Sequence, residues 1–181
     1  MPQIQPLPIA QATGDTAKAL AAVKSKLGTV PNMFATLANA PAALQFYLQG
    51  SAALERGRFT AKQRELVALA VADVNACGYC LAAHTALGGL VGLQAPEMEA
   101  ARHGHAGGVK DSGLVKLAQR IVETRGNLAP ADLSAARASG LEDADILEAI
   151  AVVAVNIFTN YTNHIAGTEV DFPPVAARRA A

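Results

Sequence analysis

The chain has 181 residues and a mass of 18.6 kDa, with nine prolines and no Pro/Ser-rich interior linker, so residues 1–181 are expected to form one domain. Fifteen Lys and Arg balance fifteen Asp and Glu without a basic block, which argues against nucleic acid or an anionic membrane surface as a partner. The hydrophobic fraction is 51%, yet no uninterrupted apolar run reaches about 18 residues, so no segment reads as a membrane-spanning helix.

Abundant alanine, 4% aromatic residues and the lack of alternating Val/Ile/Thr/Tyr runs predict an all-α fold. Residues 1–14 read as an arm, because Pro2, Pro6 and Pro8 discourage helix. Asp15 or Thr16 is expected to cap a helix carrying Leu20, Val23 and Leu27, which Gly28 ends. Val30-Pro31-Asn32-Met33-Phe34 turns the chain into a short helix stopped before Pro41, and a longer helix then carries Leu44, Tyr47, Leu48 and Leu54 to about Glu55. The T-x-x-Q spacing of Thr60 and Gln63 predicts a capping box and a helix through Val74. One face of that helix holds Leu66, Leu69, Ala70 and Asp73 and another Val67, Val71 and Val74, so most of its circumference is expected to be covered. Asn75-Ala76 breaks it, and a new helix is expected from near Cys77 through Leu90. Pro96 opens a short helix, HGHAGG at 103–108 is a loop, and helices follow at 111–125 and from Pro130 to Gly140. A long apolar helix runs from about Asp143 to His164 through Ile146, Leu147, Ile150, Val153 and Ile157, and residues 172–181 form a tail. No internal repeat holds in detail.

The chemistry concentrates around the only two cysteines, three positions apart, a usage that excludes a disulfide-stapled mini-protein and points to redox or metal chemistry in a reducing compartment. MPQIQPLPIA lacks the cationic and apolar regions of a secretory signal, which adds to a cytoplasmic expectation. On one helix Cys77, Cys80 and His84 fall at i, i+3 and i+7 and share a face. A thiolate is the reactive form of cysteine, and two features favour it here: the unpaired N–H groups of the first helical turn, and His84 one turn beyond Cys80. Glu65, on the preceding helix, reaches the imidazole if the two helices pack antiparallel or crossed. It then either orients His84 or accepts the proton itself. One sulfur attacks, the other closes a disulfide, and an external reductant reopens it.

The pattern E-x11-C-x-x-C-x3-H, filled by Glu65, Cys77, Cys80 and His84, with Tyr79 before the second cysteine, resembles the core signature of the alkylhydroperoxidase D (AhpD)-like branch of the carboxymuconolactone decarboxylase superfamily. The stretch Val30 to Phe34, the Arg64-Glu65 pair and the segment from Asn163 to Pro173 are also similar, so the resemblance covers most of residues 30–173. It implies an all-helical fold assembled as a homo-oligomer, a trimer or hexamer, with peroxidase or disulfide-reductase activity. By matching positions it implies Cys80 as the peroxide-attacking thiolate, Cys77 as the resolving cysteine, and Glu65 with His84 as a proton relay. Alkylhydroperoxidase D itself carries His where this chain has Tyr79, so the resemblance does not carry over its substrate or its reductant. The decarboxylase that names the superfamily lacks the dithiol.

Cys77, Cys80 and His84 supply only three zinc ligands and no second C-x-x-C follows, so no metal is expected. Without a G-x-G-x-x-G, a P-loop or C-x-x-C-H, no nucleotide, flavin or haem cofactor is expected either. Tyr79 reads as a core aromatic with a satisfied hydroxyl or as a substrate gate, and Asp73 as exposed or locally paired. Asn156, Asn160 and His164 recur every four residues and line the pocket, an interface or the wet side of their helix. His103 and His105 belong to a solvated loop; Met33, Phe34 and Phe46 belong to the core.

The reading is a cytoplasmic, homo-oligomeric thiol peroxidase. It reduces organic hydroperoxides or hydrogen peroxide and is recycled by an external thiol or dithiol. Self-association is expected because a flat, Ala-rich helical domain leaves apolar faces open. The alternatives are a dithiol-disulfide oxidoreductase, a decarboxylase-like enzyme and a non-catalytic oligomeric scaffold for a small ligand.

Overall fold

The computed structural model describes residues 1–175; residues 176–181, the end of the expected tail, lie outside the described residues. Among the described residues every regular element is helical: α1 (Gly14–Leu27), α2 (Asn32–Leu37), α3 (Pro41–Leu54), α4 (Ala61–Val74), α5 (Gly78–Leu90), α6 (Ala95–Arg102), α7 (Val109–Glu123), α8 (Pro130–Ala138) and α9 (Asp143–Ala166), with a 3-10 turn at Ile9–Gln11. The capping box at the start of α4 is present, Thr60 Oγ1 accepting from Gln63 N at 3.2 Å while Gln63 Oε1 accepts from Thr60 N at 2.9 Å. Two such bonds satisfy donors that a helix start otherwise leaves open.

Helix α4 is the centre of the molecule. Its residues Leu66 through Asp73 are all buried, because two cores meet on it. Leu66, Leu69, Ala70 and Ala72 pack with α1, α2, α5 and α6, while Val67 and Val71 pack with α7, α8 and α9. Burial all round is the fate of a helix with apolar residues on two faces. Asp73 is buried there too, at 2% exposure, rather than exposed or paired within its own stretch; Arg102 of α6 reaches back to it, Nε donating to Oδ1 at 2.8 Å.

Several boundaries differ from expectation. Thr13, not Asp15 or Thr16, holds the position preceding α1, without a capping hydrogen bond from its side chain; Gly14 takes φ +56° as the chain enters the helix, and Asp15 lies in the first turn beside the positive end of the dipole. Phe46 is 56% exposed instead of buried, because α3 lies at the periphery; it meets Phe158 of α9 edge-on, ring centroids 5.0 Å apart. Helix α9 is long and apolar enough, by length and composition, to cross a membrane, contrary to the sequence reading. In this fold it is a core helix, with Ala149, Val152, Val153, Asn156, Asn160, Asn163 and Ala166 buried. Buried Asp145 anchors its first turn, accepting from Arg58 Nε at 2.7 Å and Lys110 Nζ at 2.9 Å.

Tyr79 ties the start of α5 to two distant segments. Its hydroxyl donates to Asp171 Oδ1 at 2.8 Å and accepts from the Met33 backbone N–H at 3.2 Å. The other oxygen of Asp171 accepts from Asn32 N at 2.8 Å, and the Phe172 ring stands edge-on to Tyr79 at 5.8 Å. The hydroxyl is satisfied and the ring is 5% exposed, which makes Tyr79 a strut rather than a gate. Tyr79→Phe keeps the packed ring but leaves the Met33 amide without its acceptor, and is expected to lower stability by about 1–2 kcal/mol. Denaturant unfolding measures that loss, and faster hydrogen exchange at Met33 locates it.

Candidate active site

The turn between α4 and α5 sets the geometry. Ala76 takes φ +52°, Cys77 N donates to Ala72 O at 2.9 Å, and α5 folds back along α4. Cys77 is the residue preceding α5 and caps it, its Sγ accepting from Cys80 N at 3.4 Å. The free N–H of the first turn therefore serves Cys77, whereas the sequence placed that stabilisation at the reactive thiolate without choosing between the sulfurs.

The two sulfurs lie 2.7 Å apart, Cys77 Sγ–H donating to Cys80 Sγ. Asn163 of α9 adds a second donor, Nδ2 to Cys80 Sγ at 3.3 Å. These contacts make the pair unequal. The hydrogen bond from Cys77 leads in pulling the Cys80 pKa down to about 7; burial opposes it, and the charge of His84 and the amides of Asn163 and Asn160 reinforce it. The same hydrogen bond, followed by burial, pushes the Cys77 thiol far up. Cys80 is thus the member of the pair that ionises first.

Packing of α5 against α4 brings Glu65 to His84, as expected for antiparallel or crossed helices, with His84 Nδ1–H donating to Glu65 Oε2 at 2.8 Å. Burial disfavours the imidazolium, but the charge and hydrogen bond of Glu65 outweigh it and leave the His84 pKa above its ordinary value. Cys77 and Cys80 are 0% and 2% exposed, while the side chains of His84 and Glu65 keep 15% and 18%. Of these four residues, the acid and the imidazole form the edge that meets solvent. Among the described residues no group of three or more His, Cys, Asp or Glu is arranged to hold a metal.

Two contributors were not singled out in the sequence. Tyr47 of α3 lies near Glu65 and Cys80; burial chiefly, with the charges of both neighbours, raises its phenol to about 12 against a hydrogen bond with Ser51. Asn163 was seen only as part of a family-like segment. The face of α9 that reaches the dithiol follows Asn156, Asn160 and Asn163, at i, i+4 and i+7, while His164 is exposed. A strict four-residue step drifts off a helical face, and mixing steps of three and four would have found Asn163. Asn156 donates to Val152 O at 2.9 Å within its own helix. His103 and His105 are exposed in the loop after α6, His103 Nε2 3.0 Å from Glu99 Oε1.

The carboxymuconolactone decarboxylase family model matches residues 38–106. No curated protein matches the chain. Among solved structures, the alkylhydroperoxidase AhpD core of an uncharacterized peroxidase-related protein from Ralstonia eutropha is similar with a TM-score of 0.82 at 24% identity, over 93% of each chain. An uncharacterized peroxidase-related protein from a Silicibacter species is similar with a TM-score of 0.74 at 22% identity, over 96% of this chain and 93% of that one. A cysteine-to-alanine variant of the debrominase Bmp8, in complex with 2,3,4-tribromopyrrole, shares the fold with a TM-score of 0.80 at 13% identity, over 93% of this chain and 91% of that one. The segment matched by the carboxymuconolactone decarboxylase family model contains Glu65, Cys77, Cys80 and His84, and the fold around it is shared with these solved structures.

Proposed function

We propose that the protein is a thiol-dependent peroxidase that reduces organic hydroperoxides or hydrogen peroxide. The observation that carries this reading is the convergence of groups on Cys80: Cys77 Sγ lies 2.7 Å and Asn163 Nδ2 3.3 Å from its sulfur, and His84, one turn further along α5, is held by Glu65 at 2.8 Å. The Cys80 thiolate attacks the terminal oxygen of R–O–O–H. An S–O bond forms, the O–O bond breaks, and the leaving alkoxide takes a proton from the His84 imidazolium. Sulfur loses two electrons and the peroxide gains them, giving Cys80–SOH and an alcohol. With Nδ1 committed to Glu65, Nε2 is the nitrogen that exchanges the proton, and Glu65 holds the ring for it. Cys77 then gives up its proton and attacks Cys80 Sγ; the S–O bond breaks and water leaves. An external thiol or dithiol supplies the two electrons that reopen the disulfide.

Substrate enters from the Glu65–His84 edge, where the exposure lies. The reading includes a homo-oligomer in the cytoplasm. The oligomer is supported by the apolar residues that α9 presents outward, Leu147, Ile150, Tyr161 and Ile165, and by exposed Phe46 of α3, which meets Phe158 of α9.

Peroxide consumption with a dithiol reductant is expected to vanish in Cys80→Ser and to stop after one turnover in Cys77→Ser. His84→Gln is expected to cost about 100-fold, and Glu65→Gln less. Full activity in Cys80→Ser contradicts the reading, and disulfide turnover without peroxide consumption favours the oxidoreductase instead. The pH profile has a defined sign. Activity rises as Cys80 deprotonates around its pKa of about 7 and falls again at higher pH, when His84 loses the proton it must donate. Steady-state rates across pH 5–10 check both limbs, and a profile flat through neutrality contradicts the assignment.

A further inference from the structure

Helix α9 sets two carboxamides against the dithiol, outside the segment that the family model matches. Asn160 and Asn163 are 0% and 4% exposed. Asn163 Nδ2 donates to Cys80 Sγ, and Asn160 lies beside the pair, its backbone O 4.0 Å from Cys77 Sγ. Asn75, in the turn before Cys77, fixes the orientation of Asn160 by donating to its Oδ1 at 2.8 Å. After these bonds, each amide keeps one buried atom without a hydrogen-bond partner: Asn160 Nδ2, a donor, and Asn163 Oδ1, an acceptor. Cores avoid such vacancies because water's hydrogen bonds are lost on burial, so two of opposite kind beside a reactive sulfur mark a place for a group that can pair with both.

A hydroxyl is such a group, since its oxygen accepts and its O–H donates. We propose that Asn160 and Asn163 hold the hydroxyl-bearing oxygen that Cys80 takes from the substrate. Asn160 Nδ2 donates to that oxygen, and its O–H donates to Asn163 Oδ1, first as the terminal O–H of the hydroperoxide and then as the S–O–H of the Cys80 sulfenic acid. The inference rests on the peroxidase reading and assigns the recognition of the peroxidic O–H, common to both of its substrates, to these two amides. The two amides exchange no proton with the substrate. The S–O bond forms as the O–O bond breaks, the alkoxide leaves toward His84, and the oxygen already held by the two amides stays on sulfur. When Cys77 attacks, the same oxygen departs as water. Held this way, the sulfenic acid waits for Cys77 instead of meeting a second peroxide and being driven to the sulfinic acid.

The test uses the full chain carrying Cys77→Ser, which leaves Cys80 as the one thiol. Asn160→Ala and Asn163→Leu are each added to it. Reaction of Cys80 with hydrogen peroxide is compared with alkylation by iodoacetamide, which offers no hydroxyl, both rates being corrected to the thiolate fraction from their pH profiles. The pocket predicts that the ratio of peroxide to iodoacetamide rates falls about ten-fold in each variant, as expected for a lost hydrogen bond to a buried polar group in the transition state. It also predicts that trapping of the sulfenic acid by dimedone yields less product and that more sulfinic acid accumulates. Circular dichroism identifies folded variants, and either position alone carries the test. Peroxide and iodoacetamide rates that change in step within about two-fold overturn the pocket while leaving the peroxidase reading in place. Parent protein inert to peroxide but alkylated normally overturns both.

Discussion

The hydrogen bond from Cys77 to Cys80 is the interaction on which the rest of the site depends. Two thiols equally buried and equally free would both stay protonated, because burial disfavours the thiolate. Placing one as the helix cap and the other one turn in breaks the symmetry. Cys77 receives the Cys80 backbone N–H and turns its own S–H toward Cys80, so the charge is stabilised on the second sulfur and the proton is retained on the first. The amide of Asn163 adds to the same bias from across the core. On the proposed reading, the nucleophile and the resolving thiol are then defined by position in one turn of backbone.

The scaffold that holds this turn is helix α4, covered on two sides by separate cores. It carries Glu65 at the edge and delivers the chain into the tight connection at Asn75–Ala76, so α5 must return along it and bring His84 to the carboxylate. From the other side, Tyr79 lies between the cysteines in sequence and is fastened to Met33 and Asp171. The segment bearing the dithiol is therefore restrained by α2 and by the residues following α9, both far away in sequence. The fold is shared with peroxidase-related proteins and with a debrominase, so architecture alone does not name the substrate. The peroxide assignment rests instead on the polarity of the sulfur pair and the acid at its edge.

Local features were legible where local physics fixes them. The Thr60–Gln63 box, the Gly28 stop and the pairing of Glu65 with His84 all follow from spacing along helices joined by a short turn. Features decided by distant packing were not. Asp73 is carried inward because α6 brings Arg102 to it, Phe46 is left outside because α3 is peripheral, and Asn163 meets Cys80 across 83 positions of sequence. The apolar length of α9 carries the same lesson in reverse: by length and composition it could cross a membrane, while in the fold one face of it is buried against α4 and α7.

The central claim is that Cys80, and not Cys77, carries the negative charge near neutrality. Alkylation of the reduced protein over a pH series, with mass measurement of the peptides, follows each thiol separately. The account predicts a midpoint near pH 7 for Cys80, Cys77 remaining unmodified until much more alkaline solution, and an upward shift of the Cys80 midpoint when Cys77→Ala removes the donor. Cys77 titrating first, or a Cys80 midpoint unmoved by that substitution, contradicts it.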